Sequence, residues 1–210
     1  MQMTLDNEHD RSRGEKDGGR IAVFGGTFNP IHFGHLKIAR CLKIQLRFDT
    51  VLLIPAFKPS HKKADLTTKP EHRLNMLYKA AADIEYLAVD DCEIRREGIS
   101  FTIETIYDVY DRYRPRGKLA LVIGDDLLAG FHTWKRMNEL LGIVHLIVAH
   151  RISPVEREFS YPHEYLDNPI FDAASHEIRE RVANGCNISD LVPKSVCKYI
   201  FDNDLYSHLA

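Results

Sequence analysis

Eleven residues of this chain concentrate most of its chemistry: Gly25-Gly26-Thr27-Phe28-Asn29-Pro30-Ile31-His32-Phe33-Gly34-His35. Two glycines let a backbone approach a ligand closely. His32 and His35 fall at the start of a helical pattern, where unpaired backbone N–H groups and the helix dipole favour an anion. Two imidazoles beside such a terminus can donate hydrogen bonds to phosphate oxygens. The string is not the G-x-G-x-x-G fingerprint of dinucleotide-binding dehydrogenases, and no G-K-[ST] follows to make a Walker A loop. A zinc reading of the histidine pair lacks nearby carboxylate or thiolate ligands. The competing reading is a tight turn carrying two surface histidines.

Four further segments carry polar side chains at presumed strand ends. Lys58, His61 and Lys62 lie in a basic, proline-marked loop after an apolar run, and read either as phosphate contacts or as a solvated surface. Asp126 follows Gly124 just past another apolar run; a carboxylate there can accept ribose hydroxyls or sit near a metal, or it can cap a helix. Trp134, the single tryptophan, can stack on a flat cationic ring or pack in the core. Arg151 ends a strand, where it can hold a phosphate bidentately or lie on the surface.

The elements that must position these residues follow from periodicity. Ile21–Phe24, Thr50–Ile54, Leu119–Ile123 and Val144–Val148 are short apolar runs and read as buried strands. Tyr86–Val89 is a shorter strand, and Glu93–Arg95 is expected to be another. Helical patterns cover residues 35–47, the segment from Pro70, the segment 100–114 with Ser100 and Thr102 as capping candidates, and the segment 133–141. Residues 150–170 read as loop. Ser175 is the expected cap of the next helix, with Gly185 as its stop, and a final helix starts at Pro193. Apolar strands alternating with helices predict an α/β fold: a Rossmann-like doubly wound parallel sheet with helices on both faces, plus a small C-terminal helical part. Ligands of such sheets bind beyond the carboxyl ends of the strands, where the candidate residues fall.

Residues 1–20 hold nine charged side chains and three large apolar ones, and read as a disordered or variable tail. Residues 21–206 are then one domain, with the helices from about 174 packed on it. With 28 basic and 30 acidic residues the net charge is -2, which gives no support to a nucleic-acid or membrane-surface binder. No apolar run reaches the ~18 residues of a membrane span, and no signal-peptide core is present at the N-terminus. The four cysteines show no C-x-x-C spacing, which favours a reducing cytoplasm over a disulfide framework. A homo-oligomer is neither required nor opposed by these features.

The string GGTFNPIHFGH resembles the signature of the HxGH nucleotidyltransferase superfamily, with Asn29 where many relatives have Asp. The resemblance implies that His32 and His35 bind a triphosphate and stabilise the transition state, and that Gly25, Gly26, Thr27 and Phe28 contact ATP. Within that superfamily, Ile54-Pro55…His61-Lys62, Ser100-Phe101-Thr102, Gly124-Asp125-Asp126 with Phe131…Trp134, and His145-Leu146-Ile147-Val148…Arg151 are similar to the nicotinate mononucleotide adenylyltransferase family. The likeness spans about residues 21–206. It implies adenylyl transfer from ATP to nicotinate mononucleotide, giving deamido-NAD and pyrophosphate. It further implies a mononucleotide site at Lys58, His61, Lys62, Thr102, Trp134 and Arg151, and an ATP site that includes Gly124 and Asp126. Mg²⁺ is expected to arrive with ATP, with no metal site made by the protein alone. The family's ISSTxIR motif is altered here to Ala173-Ala174-Ser175-His176-Glu177-Ile178-Arg179, leaving Ser175, His176 and Arg179 as candidate ATP-phosphate ligands. Two alternatives stand beside this reading. One is a sister enzyme of the phosphopantetheine adenylyltransferase or glycerol-phosphate cytidylyltransferase type. The other is a nucleotide-binding protein without catalysis.

Overall fold

A computed structural model describes residues 18–59, 68–172 and 174–207. The expected tail is therefore outside the described residues except at its end. There Arg20 N–H donates to Asp49 at 2.8 Å, and Arg116 N–H donates to the Gly19 carbonyl at 3.2 Å. The described fold thus begins before Ile21.

In chain order the elements are β1 (Ile21–Gly26), α1 (Phe33–Ile44), β2 (Thr50–Pro55), β3 (Lys58–Pro59), α2 (Pro70–Ala81), β4 (Leu87–Val89), α3 (Cys92–Arg96) and β5 (Ile99–Ser100). Then come α4 (Thr102–Tyr113), β6 (Leu119–Gly124), a 3-10 helix (Asp125–Thr133), α5 (Met137–Ile143), β7 (Val144–Ala149), β8 (Glu164–Leu166), α6 (Ser175–Ala183) and α7 (Lys194–Asp202).

Six strands pair in the order β4-β2-β1-β6-β7-β8, every pairing parallel. Because strand side chains alternate between faces, each strand feeds two separate cores. Phe24, Leu53, Val122 and Ile147 point to one, covered by Leu42 of α1, Met76 of α2, Ile178 of α6 and Ile200 of α7. Val23, Leu52, Leu121 and Val148 point to the other, covered by Ile106 of α4, Phe131 of the 3-10 helix and Leu140 of α5. The doubly wound sheet expected from the apolar runs is present, and the C-terminal helices share the first core.

Several local expectations change. Glu93–Arg95 is helical, not extended; it lies in α3, whose first residue follows the Asp90 carboxylate that accepts from Cys92 N–H at 2.8 Å. Ser100 and Thr102 do not cap α4: Ser100 lies in β5 and Thr102 is the first helical residue after Phe101. The expected helix around residues 133–141 is interrupted. Trp134 ends the 3-10 helix, Arg136 takes φ 54°, and α5 starts only at Met137. The loop at 150–170 contains an edge strand, β8, too short for a periodic signal. Ser175 is the first residue of α6, whose cap position is Ala174.

Candidate active site

The chain runs from β1 to one edge of the sheet, through β2 and β4. It returns to the centre as β6 and then fills the other edge. The strand order therefore reverses between β1 and β6, and a crevice opens beyond their carboxyl ends. A cavity of about 460 Å³ occupies this place, with Gly25 to Asn29 of the first loop and Gly124 of β6 in its wall.

The two histidines are locked by backbone donors. His32 is the N-cap of α1: its Nδ1 accepts from Gly34 N–H at 3.1 Å, while His35 Nδ1 accepts from His32 N–H at 3.3 Å. This is a reciprocal capping box built from imidazoles in place of the usual hydroxyl and carboxylate. It also fixes chemistry. A neutral imidazole whose Nδ1 accepts must carry its proton on Nε2. Both rings are therefore Nε2–H donors. Burial, with the Arg151 guanidinium adding repulsion, pulls the His32 pKa down to about 3. Its Nε2 is buried with no hydrogen-bond partner among the described residues. Such an orphaned donor costs free energy that an anionic ligand would relieve.

The two imidazoles are in close, tilted contact. Their centroids are 3.8 Å apart, and Phe171 lies nearly parallel to His32 at 5.7 Å. Gly34 permits this, since a Cβ there would come within 2.9 Å of both the His32 and the Phe171 rings. His35 opens on the cavity, whereas His32 stands behind it.

Beside this loop, α6 and the residue before it bring Ala174, Ser175, His176 and Arg179 to the same cavity. Two bonds hold the helix there. Ser175 Oγ donates to the Pro30 carbonyl at 3.0 Å, and Arg179 Nη1 donates to the Asn29 carbonyl at 2.9 Å. The altered motif thus keeps its place against the glycine-rich loop. The buried side chain of Asn29 accepts from Tyr206 Oη at 2.8 Å, a bond reaching in from the C-terminal end.

The cavity wall also holds Thr102, Trp134 and Arg151. Trp134 packs on Phe131 with ring centroids 4.9 Å apart and still faces the cavity, so core and site readings both describe it. Arg151 Nη1 lies 3.2 Å from both oxygens of Asp126. Asp126 is engaged in that pair and is not part of the cavity wall. Gly124 is required between them, because a Cβ there would overlap Asp126 Oδ1 and Arg151 Cδ. Asp125, which the pattern reading passed over, is 1% exposed and accepts from the backbone N–H groups of Arg151, Ile152 and Ser153. That cradle sets where Arg151 can be. The loop signal was legible only as an extra acid beside Asp126.

Lys58 is exposed in β3, and its neighbour Pro59 reaches the cavity instead. His61 and Lys62 lie outside the described residues. Glu93, also missed, lines the cavity although only 7% exposed. Burial raises its pKa against the opposing hydrogen bonds of Thr105 and Ser100. Its expected place in a strand hid it. Among the described residues, no group of three or more His, Cys, Asp or Glu could hold a metal ion.

The sequence and the fold have counterparts. The chain belongs to the cytidylyltransferase-like family, whose model matches residues 23–181. It is 43% identical over 187 residues to a protein of Borrelia garinii named probable nicotinate-nucleotide adenylyltransferase, covering 89% of this chain and 94% of that one. A protein of Streptococcus pyogenes with the same name is 36% identical over 199 residues, covering 95% of this chain and 94% of that one. Among solved structures, the Plasmodium falciparum nicotinic acid mononucleotide adenylyltransferase complexed with NaAD superposes with a TM-score of 0.74 at 18% identity. The match covers 90% of this chain and 98% of that one, and at this identity it speaks for the fold.

Proposed function

We propose that this protein transfers the adenylyl group of ATP to nicotinate mononucleotide, releasing pyrophosphate and forming deamido-NAD, a step of NAD synthesis. The observation that carries the reading is the buried His32–His35 capping box, which leaves both Nε2 atoms as N–H donors beside the glycine-rich loop, with His35 in the wall of the switch-point cavity. The names of relatives at 36–43% identity give the substrate.

The nucleophile is an oxygen of the mononucleotide phosphate. A phosphate monoester, with a second pKa near ~6, is already ionised at neutral pH. No general base is required. That oxygen bonds to the α-phosphorus of ATP as the bond from that phosphorus to the bridging oxygen breaks, and pyrophosphate leaves with the electron pair. The protein must hold two polyanions in line and offset charge that builds on the α-phosphate and the leaving group. His35 and His32, the backbone of Gly25 to Phe28, and the start of α6 with Ser175, His176 and Arg179 take the ATP phosphates in this reading. Thr102 and Trp134 take the pyridine ring, and Arg151, held by Asp125 and Asp126, takes the mononucleotide phosphate. Lys58, exposed next to Pro59 of the cavity wall, adds positive charge near the site, and His61 and Lys62 are further candidates for the mononucleotide phosphate in this reading.

Mg²⁺ enters as MgATP, held by phosphate oxygens and water. The catalytic unit is residues 21–206, acting in the cytoplasm. The test is pyrophosphate release from MgATP with nicotinate mononucleotide, run beside the nicotinamide mononucleotide and phosphopantetheine. Turnover preferring the first acceptor supports the reading; turnover confined to phosphopantetheine, or none with any acceptor, overturns it.

A further inference from the structure

Arg73 has no role in the site described so far. It sits on α2 and is 0% exposed. Its Nη1 donates to the Thr27 carbonyl at 2.9 Å and to the Ala56 carbonyl at 2.7 Å, and its Nη2 donates to the Phe57 carbonyl at 3.2 Å. One buried guanidinium thus ties the loop after β1 to the loop after β2. A fully buried arginine spent entirely on backbone carbonyls is costly, which asks what the arrangement secures.

The geometry of the Thr27–Phe28 peptide answers. In a trans peptide the C=O and the following N–H point in opposite directions. Arg73 lies behind the loop and outside the cavity wall, whereas Thr27 and Phe28 are in that wall. Drawing the Thr27 carbonyl back toward Arg73 therefore turns the Phe28 N–H toward the cavity. The same rule holds at the next loop, where the Ala56 carbonyl faces Arg73 and the Phe57 N–H points away, to Ser100 Oγ at 3.1 Å. Phe28 itself takes φ 49°, a left-handed conformation that a bulky side chain rarely adopts. Such a residue persists only where its surroundings over-determine it, and it is often part of a functional turn. A backbone with alternating handedness makes a concave anion-binding nest of its N–H groups.

We propose that Arg73 is a positioning residue for catalysis: by holding the Thr27 carbonyl it presents the Phe28 N–H to a non-bridging oxygen of the ATP α-phosphate. The proposal rests on the adenylyl-transfer reading above. A donor aimed at the reacting phosphate acts most strongly in the transition state, so its loss lowers kcat more than it raises either KM. It also favours one of the two non-bridging oxygens, which a general loss of structure would not do.

The test uses the two diastereomers of ATPαS, in which sulfur replaces one or the other non-bridging oxygen. Rates are taken with Mg²⁺ and with the thiophilic Cd²⁺, since a preference set by metal coordination changes between the ions and a preference set by Phe28 N–H does not. Wild type should show a metal-independent part of its preference for one diastereomer. Arg73→Lys keeps the charge but not the fork; it should lower kcat about 100-fold with ATP and reduce that preference about 10-fold. Wild-type kcat in Arg73→Lys overturns the proposal, as does an unchanged preference beneath a lowered rate. Should Arg73→Lys fail to fold, as judged by circular dichroism, replacing Phe28 by its α-hydroxy acid removes the same N–H as an ester and leaves Arg73 in place. Loss of the preference there supports the proposal, and its retention overturns it. Absence of any wild-type turnover with ATP and nicotinate mononucleotide would instead sink the functional reading itself.

Discussion

Tyr206 donates its hydroxyl hydrogen to Asn29 Oδ1 at 2.8 Å, joining positions 177 residues apart within the first core. The bond fixes the side chain of a signature residue from the far end of the chain. Tyr206→Phe keeps the ring and removes the donor. We expect it to cost about 1 kcal/mol, or roughly 2–4 °C of melting temperature for a domain of this size. A thermal melt checks this; an unaltered midpoint would show the bond to be neutral.

His35→Ala should abolish useful turnover in a protein that still folds. Deleting one preorganised donor to a reacting phosphate costs on the order of 10²–10³ in kcat. Steady-state kinetics beside a circular dichroism spectrum separates lost chemistry from lost structure. Near-normal kcat in the folded variant would remove His35 from its assigned role.

Trp134→Ala should raise KM for nicotinate mononucleotide well above any change for ATP, because the proposed function seats the pyridine ring, not the ATP phosphates, against this cavity-lining indole. Equal increases for both substrates would instead identify Trp134 as a wedge whose contact with Phe131 only shapes the wall.

His32 makes acid stability a test of burial. Its pKa is about 3 in the fold against 6.5 for an ordinary histidine, with burial the first cause and Arg151 the second. As pH falls below about 6.5 the unfolded chain takes up a proton there and the folded chain does not. The stabilisation is therefore whole above that value and is lost progressively as pH drops toward the folded value. His32→Asn retains a good N-cap but has nothing to titrate. Urea unfolding at pH 7 and pH 5 should show wild type losing about 2 kcal/mol more than the variant. Parallel losses would mean that His32 is solvated enough to titrate normally.

The sheet was legible because its strands are unbroken apolar runs: Val51 to Ile54 and Leu119 to Ile123, for example, are buried on both faces. The first loop was legible because glycines and histidines at that spacing have few other uses. What stayed hidden depends on partners distant in sequence. Glu93 reads as an ordinary strand or helix residue until Thr105 and Ser100 are seen around it. Arg73 reads as a solvent-facing helix residue until three carbonyls converge on it. Ser175 has the right type for a cap, yet its hydroxyl finds the Pro30 carbonyl instead, and α6 opens with Glu177 accepting from Ala174 N–H at 2.8 Å. Local propensity proposes such caps, and tertiary contacts decide them.

The docking of α6 against the glycine-rich loop bears on how the protein comes to life during synthesis. The ribosome makes the histidine signature among the first residues of the domain, but Ser175 and Arg179, which dock α6 on Pro30 and Asn29, come more than a hundred residues later. The central strand β1 must likewise wait for β6 to cover its second edge. A nascent chain halted before Arg179 lacks the contacts that pin α6 to Pro30 and Asn29, so its crevice is only half built.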